Sequence, residues 1–478
     1  MKKETRGLTR NDQSFFCFQS NYFIIRNMKI YQTNDIHSHF EECSKISKYL
    51  KENRTSEDLY FDCGDFCDLS NVMVHGTNGL GALELLKYMK VDALTIGNNE
   101  IDLEHDALVA LSKSGIPFVS CNVVDNDGNE IGEVKRSILL NKNGMRILVI
   151  GVSPYYNGRR IPSAYNVFFE MGNLKTIDPY PEIEKELKTY EGQYDFCVLI
   201  SHSGLIIEQD LLKRFPEINL CLGGHSHHNH TEERYLQSGC YGENLGCVTI
   251  NEKKEMTNLD VIPVTFDKDE QFDTKLEALQ EVAHTNLNKT LYTIPKLTWS
   301  VTKENEYSNF IADALYLEDN CDLAFINSGI VEGGIEGNIS KQLLLENSPS
   351  KLNPTKFPVK GENLLLAIQH SLDETFVNQS GKGAGVRGHV LGTLAFSHNV
   401  QIQMNPLTVL IDDKPLELEK EYVCIADDSL QRGTGYTELK CVDERATFYR
   451  GFIRDLLERT LENQEIWKTC KIKRIIEK

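Results

Sequence analysis

From Lys29 to about residue 266, short apolar runs alternate with stretches that are apolar on one side only. The runs are KIYQT, DLYFD, ALTIG, FVSCNVV, RILVIGV, FCVLIS and INLCLGG. Between several of them lie segments with helical spacing, among them EECSKISKYLKEN, LGALELLKYMK and DALVALSKS. Runs this short, set between amphipathic helices, fit strands. Their alternation restricts the region to an α/β layered domain with substantial parallel pairing. The pattern closes with VIPVTF at Phe266.

A chain of 478 residues exceeds what one ordinary core holds, so two or three domains are expected. Residues 267–292 are highly charged and lack Gly and Pro, which reads as a helical linker. A second, mixed α/β domain is expected over 293–478, broken by the Gly-rich turns GIVEGGIEGN and GKGAGVRGH. Residues 1–27 precede the first strand and read as a disordered extension or a start chosen too early.

Charge narrows the partners. Seventy acids against 51 Lys and Arg give a formal charge of −19, which disfavours nonspecific binding to nucleic acid or to anionic membranes. An anionic substrate then needs a local cation or a metal. The 13 cysteines form no CxxC pair and many sit in apolar runs, as buried free thiols do. No stretch has the length of a membrane span, and FFCFQSNYFII is too broken for a signal peptide. The expected location is the cytoplasm.

The chemistry gathers where the strand-like runs end. KIYQT leads to Asp35 and His37, DLYFD to Asp65, ALTIG to Asn98, FCVLIS to His202, and INLCLGG to His225 and His227. Ligands of open α/β sheets bind beyond the carboxyl ends of the strands. Each word alone is ordinary turn chemistry; five in order bring seven oxygen and imidazole donors to one edge. In extended backbone, residues two apart point the same way, which would pair Asp35 with His37 and His225 with His227. Such donors, without thiolates, suit two divalent ions such as Mn²⁺, Zn²⁺ or Fe²⁺. Two metals can activate a water and clamp an in-line phosphoryl displacement.

The words TNDIHSH, GDFCDLS, GNNE, ISHSG and GGHSHH resemble those of the bifunctional metallophosphoesterases with a 5′-nucleotidase C-terminal domain. The resemblance spans about residues 28–478. It implies a four-layer α/β/β/α sandwich over 28–266, followed by a mixed α/β substrate domain. It also implies that Asp35, His37, Asp65 and His227 hold one metal. Asp65, Asn98, His202 and His225 would hold the other, with Asp65 bridging.

The chain departs from that family in two places. It reads GNNE where the pattern is GNHE, so Asn99 replaces a histidine that would work with Asp102. An amide donates a hydrogen bond but delivers no proton, and losing a general acid typically removes about 10²–10⁴-fold in rate. Water, His39 or His105 are the candidates for protonating the leaving oxygen. In the second domain, INSG resembles the substrate loop, with Asn327 and Gly329 as binding residues, and GTGY offers Tyr436 as a ring to stack on a base. The family's phosphate-binding arginines are replaced by Glu332 and by Glu306 or Tyr307, and its partner ring by Val390. A carboxylate repels the phosphate a guanidinium would hold. Arg387 and Arg432 are the arginines available to compensate.

The resemblance therefore implies a dimetal hydrolase in which metal-activated hydroxide attacks nucleotides or related small phosphoesters. Alternatives keep the chemistry with cyclic nucleotides or nucleotide sugars as substrates, or leave a weakened nucleotide-binding module.

Overall fold

The computed structural model describes residues 27–156, 164–381, 383, 385, 386, 388 and 390–477. The expectations for residues 1–27 (Asn27 excepted) and for Arg387 fall outside them.

Central strands of the first domain, such as Phe196–Ser201, are buried on both faces, so both faces must be covered. The strand Met28–Thr33 runs parallel to Leu59–Asp62, which runs parallel to Ala93–Leu94. Antiparallel strands Asn244–Ile250 and Met256–Pro263 extend this five-stranded sheet on its other side. A second sheet has six strands, in the order Asn229–Glu232, Tyr235–Ser238, Leu220–Leu222, Phe196–Ser201, Met145–Val152 and Ser137–Lys142.

Alternation along the strands distributes the side chains over three cores. Ile30, Phe61 and Val248 of the first sheet meet Val149, Val198 and Leu222 of the second. On the outer face of the first sheet, Tyr31 and Tyr60 lie under the helices Phe40–Asn53 and Leu80–Tyr88. On the outer face of the second, Leu148 and Leu199 lie under Pro179–Thr189 and Leu205–Arg214. The result is the expected α/β/β/α stack.

Residues 267–292 form the helix Glu270–Leu287, capped by the Asp269 carboxylate. Its charge is misleading, because Phe272, Leu276 and Ala283 are buried in the first domain's helical core. Gly76 lets the helix come this close: a Cβ there would sit 2.7 Å from Ala283 Cβ. Lys51 and Ser47 both bond Asp269 at 2.7 Å. The segment is thus packed along the first domain, and its His284 also lies 2.8 Å from Gln342 Oε1 of the second.

The second domain is built on the sheet Leu394–Phe396, Leu323–Asn327, Glu421–Asp427, Pro354–Lys360 and Thr447–Phe448. Helices Glu306–Tyr316 and Ile453–Thr460 share one core, and Gly361–Ser371 packs in another. Contacts join the two domains: Ser70 Oγ donates to Pro349 O at 2.9 Å, and the Phe168 and Phe448 rings meet edge-on at 5.2 Å. No helix among the described residues is long and apolar enough to cross a membrane.

Candidate metal centre

The loops after the parallel strands converge on one rim. Asp35, His37 and His227 form one group and Asp65, His202 and His225 another, with donor atoms inside each group within 4.8 Å. His227 Nε2 lies 3.2 Å from Asp35 Oδ1 and 3.1 Å from His37 Nε2. Asp65 Oδ2 sits between the groups, 3.7 Å from His37 Nε2 and 3.3 Å from His202 Nε2.

The backbone reaches this geometry differently from the extended pairing expected. Asp35, His37, Asp65, His225 and His227 all have positive φ, from 45° to 70°. Each loop turns sharply after its strand, and the turn, not an extended i, i+2 register, brings the pairs together. Left-handed backbone at non-glycine residues costs on the order of 1–3 kcal/mol each and persists where surroundings over-determine it.

Those surroundings can be named. Asn34 Nδ2 and the backbone N–H of His225 both donate to Asp35 Oδ2, at 2.7 and 2.8 Å. His202 Nδ1 lies 2.6 Å from Cys63 O, which fixes the tautomer that leaves Nε2 free to ligate. Glu100 accepts from the N–H groups of Asp65, Cys67 and Gly97, all within 3.0 Å. Gly97 is needed here because a Cβ would lie 2.2 Å from Asp65 Oδ1. Glu208 accepts from Ser203, Gly204 and Gly224 N–H groups and from Tyr235 Oη, tying the His202 loop to the His225 loop. Neither glutamate stands out in sequence; the signal was only a buried acid within helical reach of a glycine-rich strand end.

Among the described residues, the buried side-chain atoms without a hydrogen-bond partner include Asp35 Oδ1, Asn98 Oδ1 and His202 Nε2. Leaving such atoms unpaired is costly, and all three belong to the expected ligand set. The donor chemistry thus fits a pair of divalent cations. Electrostatics agree. Burial opposes charge on Asp35, yet His202, His227 and His37 hold it well below the usual carboxylate range. Burial likewise opposes charge on His202, but Asp65 and Asp35 raise it to about 10. The neighbouring Asp35 carboxylate and Cys240 raise His227 to about 10. Burial and the neighbouring His202 push His225 down to about 4. The carboxylates demand positive charge; protons supply it when metal does not.

Asn99 is 2% exposed and bonds the bridging carboxylate twice: its N–H donates to Asp65 Oδ1 at 2.8 Å and its amide to Oδ2 at 2.6 Å. Its carbonyl accepts from Lys351 Nζ at 2.5 Å, and Lys351 also bonds Asp102 Oδ2 at 2.6 Å. Lys351 comes from the second domain, in the unremarkable stretch NSPSKLNP. Its loop is fixed by the buried Arg454, which donates to the carbonyls of Ser348, Pro349 and Ser350. These groups face a cleft of about 290 Å³ lined by both domains.

His39 and His105 do not line that cleft. His39 Nδ1 lies against Ile36 O, and His105 pairs with Asp106. Asn327, Gly329 and Tyr436 do not line it either, and together form a packed seam against residues 390–392. Asn327 donates to Leu391 O at 2.6 Å, and a Cβ on Gly329 would meet Val390 O at 1.9 Å. Tyr436 is 0% exposed, with its hydroxyl donating to Gly392 O at 2.8 Å, so its ring packs in the core and offers no face to a base. Arg432 is paired with Asp428, Glu306 accepts from Thr298, and Tyr307 is buried against Asn347.

Residues 28–229 match the calcineurin-like phosphoesterase family, and residues 283–440 match the 5′-nucleotidase C-terminal domain. An uncharacterized metallophosphoesterase of Bacillus subtilis, YunD, is 29% identical over 465 residues, covering 90% of this chain and 98% of the relative. Two solved structures share the fold. Haemophilus influenzae NAD nucleotidase has a TM-score of 0.63 at 13% identity, covering 95% of this chain and 97% of that one. A Thermus thermophilus 5′-nucleotidase precursor has a TM-score of 0.54 at 17% identity, with the same coverage.

Proposed function

Because this chain belongs to the calcineurin-like phosphoesterases that carry a 5′-nucleotidase C-terminal domain, we propose that it is a dimetal hydrolase of nucleotides or related small phosphoesters. The observation that carries the reading is the set of three orphaned atoms, Asp35 Oδ1, Asn98 Oδ1 and His202 Nε2, within two clusters of metal-ligand type whose Asp65, His37, His225 and His227 line one cleft. Asp35, His37 and His227 would hold one cation, Asn98, His202 and His225 the other, and Asp65 both. When bound, a pair of manganese, zinc or iron ions lowers the pKa of coordinated water and neutralises phosphoryl oxygens.

The chain's own residues do the positioning. Asn34 and the His225 N–H orient Asp35; Cys63 O orients His202; Asn99 holds both oxygens of Asp65. Rigid placement of this kind is where such sites obtain much of their rate, since no reorganisation is needed during reaction. Nucleotides are the favoured substrate class because of the C-terminal domain and because the two solved relatives are named for nucleotidase activity.

The test is phosphate release from nucleoside 5′-monophosphates, 2′,3′-cyclic nucleotides and p-nitrophenyl phosphate, using protein loaded with Mn²⁺. Turnover on at least one is expected. A sample carrying two ions per chain that cleaves none of them would overturn the hydrolase and favour a nucleotide-binding module.

A further inference from the structure

We infer that Lys351, carried by the second domain, is the cation that contacts the phosphoryl group of the substrate, with Asn99 and Asp102 acting as its positioning residues. The inference rests on the hydrolase reading and deepens it. It starts from charge. Acids crowd the cleft, including Asp65, Asp102, Glu104 and Asp428, and would repel a phosphate dianion. Among the described lining residues only Lys351 and Arg450 are Lys or Arg. Arg450 lies at the exposed mouth, paired with Glu104. Lys351 lies within, its side chain 9% exposed.

Position is the second argument. One amide, Asn99, links the ammonium to the bridging carboxylate, through bonds of 2.5 Å to Lys351 Nζ and 2.6 Å to Asp65 Oδ2. A phosphoryl group between the two ligand groups therefore lies beside Lys351. Asn99 is neutral, so the charge at that spot comes from the other domain. The ammonium donates to both Asn99 and Asp102, which fix its place at the metal-ligand groups. In hydrolysis the water oxygen forms a bond to phosphorus, and the ester P–O bond breaks with its electron pair. The leaving oxygen takes a proton from solvent. Lys351 keeps its own proton and stabilises the charge on the phosphoryl oxygens. The site is then complete only when the second domain is seated on the first.

A purely structural tie between domains would predict something else: loss of Lys351 would lower the melting temperature and leave anion affinity alone. The experiment titrates inorganic phosphate into Mn²⁺-loaded parent, Lys351→Met and Lys351→Arg by calorimetry, with metal content and melting temperature as controls. It then measures kcat and KM on p-nitrophenyl phosphate. Lys351→Met should weaken phosphate binding about 10- to 100-fold, the range of one hydrogen bond to a charged group. It should lower kcat/KM at least as much, keep two ions per chain, and be largely restored by Lys351→Arg. Phosphate affinity within twofold of the parent in both variants would overturn the role. Phosphate binding needs no turnover, so this arm reads Lys351 even if no ester is cleaved. Conversely, a fully active Lys351→Met would leave the hydrolase standing and remove Lys351 from it.

Discussion

The rim of the first domain and the 390–392 seam of the second are built on opposite plans. At the rim, polar atoms are buried without partners and the backbone is held in costly turns. At the seam, side-chain donors are spent on nearby carbonyls, Asn327 on Leu391, Tyr436 on Gly392 and Trp299 on Ser328, and of these side chains only Asn327 keeps an unpartnered atom, its Oδ1. Unspent polar atoms and stored strain mark a place built to receive something; satisfied ones mark a place built to stay shut. The second domain lines the cleft from outside these seam residues, and the cation it places within is Lys351.

The largest effect that separates the two plans is expected at Asp65. Its Oδ2 serves both ligand groups, so Asp65→Asn should lower turnover on the order of 10³-fold, comparable to removing one preorganised electrostatic group. It should also drop the metal content below two ions per chain by elemental analysis. Asn327→Ala in the seam should leave that content unchanged. Equal metal loss in both variants would erase the distinction between rim and seam.

Glu208 sharpens the comparison through pH. Burial pushes its carboxyl up to about 7, against the lowering effect of Tyr235 Oη and the Gly224 N–H. An acid raised on folding holds a proton that the unfolded chain has released. The folded state thus binds more protons between the ordinary glutamate value and about 7, and stability falls as pH rises across that window. The contribution is fully present below the ordinary value and gone above about 7, on the order of 3 kcal/mol in all. Glu208→Gln should flatten this slope in denaturant titrations from pH 4.5 to 7.5. A slope unchanged by the substitution would mean that Glu208 is ionised throughout.

How far the sequence could be read follows from the same contrast. The rim was legible because donor type and strand end are both local: His202 closes FCVLIS, and Asp65 follows DLYFD. The four layers were legible because the central strands, such as Met145–Val152 and Phe196–Ser201, are apolar on both faces. The packed helix Glu270–Leu287 was harder, since its charges hide a stripe as narrow as Phe272, Leu276 and Ala283. Lys351 was invisible. It is about 250 residues from Asn99 in sequence, and no spacing rule announces a flexible side chain that crosses between domains. Tyr436 was misleading for the opposite reason: an aromatic ring in a glycine turn suits a stacking platform and a core plug equally well, and only burial separates them.

That ambiguity gives the smallest expected effect. Tyr436→Phe keeps the ring and deletes the hydroxyl that donates to Gly392 O at 2.8 Å. A buried carbonyl left without its donor costs on the order of 1 kcal/mol. The variant should therefore melt lower than the parent while KM for nucleoside monophosphates stays within about twofold. The ring itself packs 5.2 Å from Phe376, so Tyr436→Ala should lose far more stability than Tyr436→Phe, at about 3–5 kcal/mol for a buried aromatic. If the ring instead opened to stack on a base, Tyr436→Ala would raise KM for nucleotides but not for p-nitrophenyl phosphate, with little change in melting. The ratio of those two KM values decides whether the seam is closed, as its hydrogen bonds indicate, or is a second receiving surface like the rim.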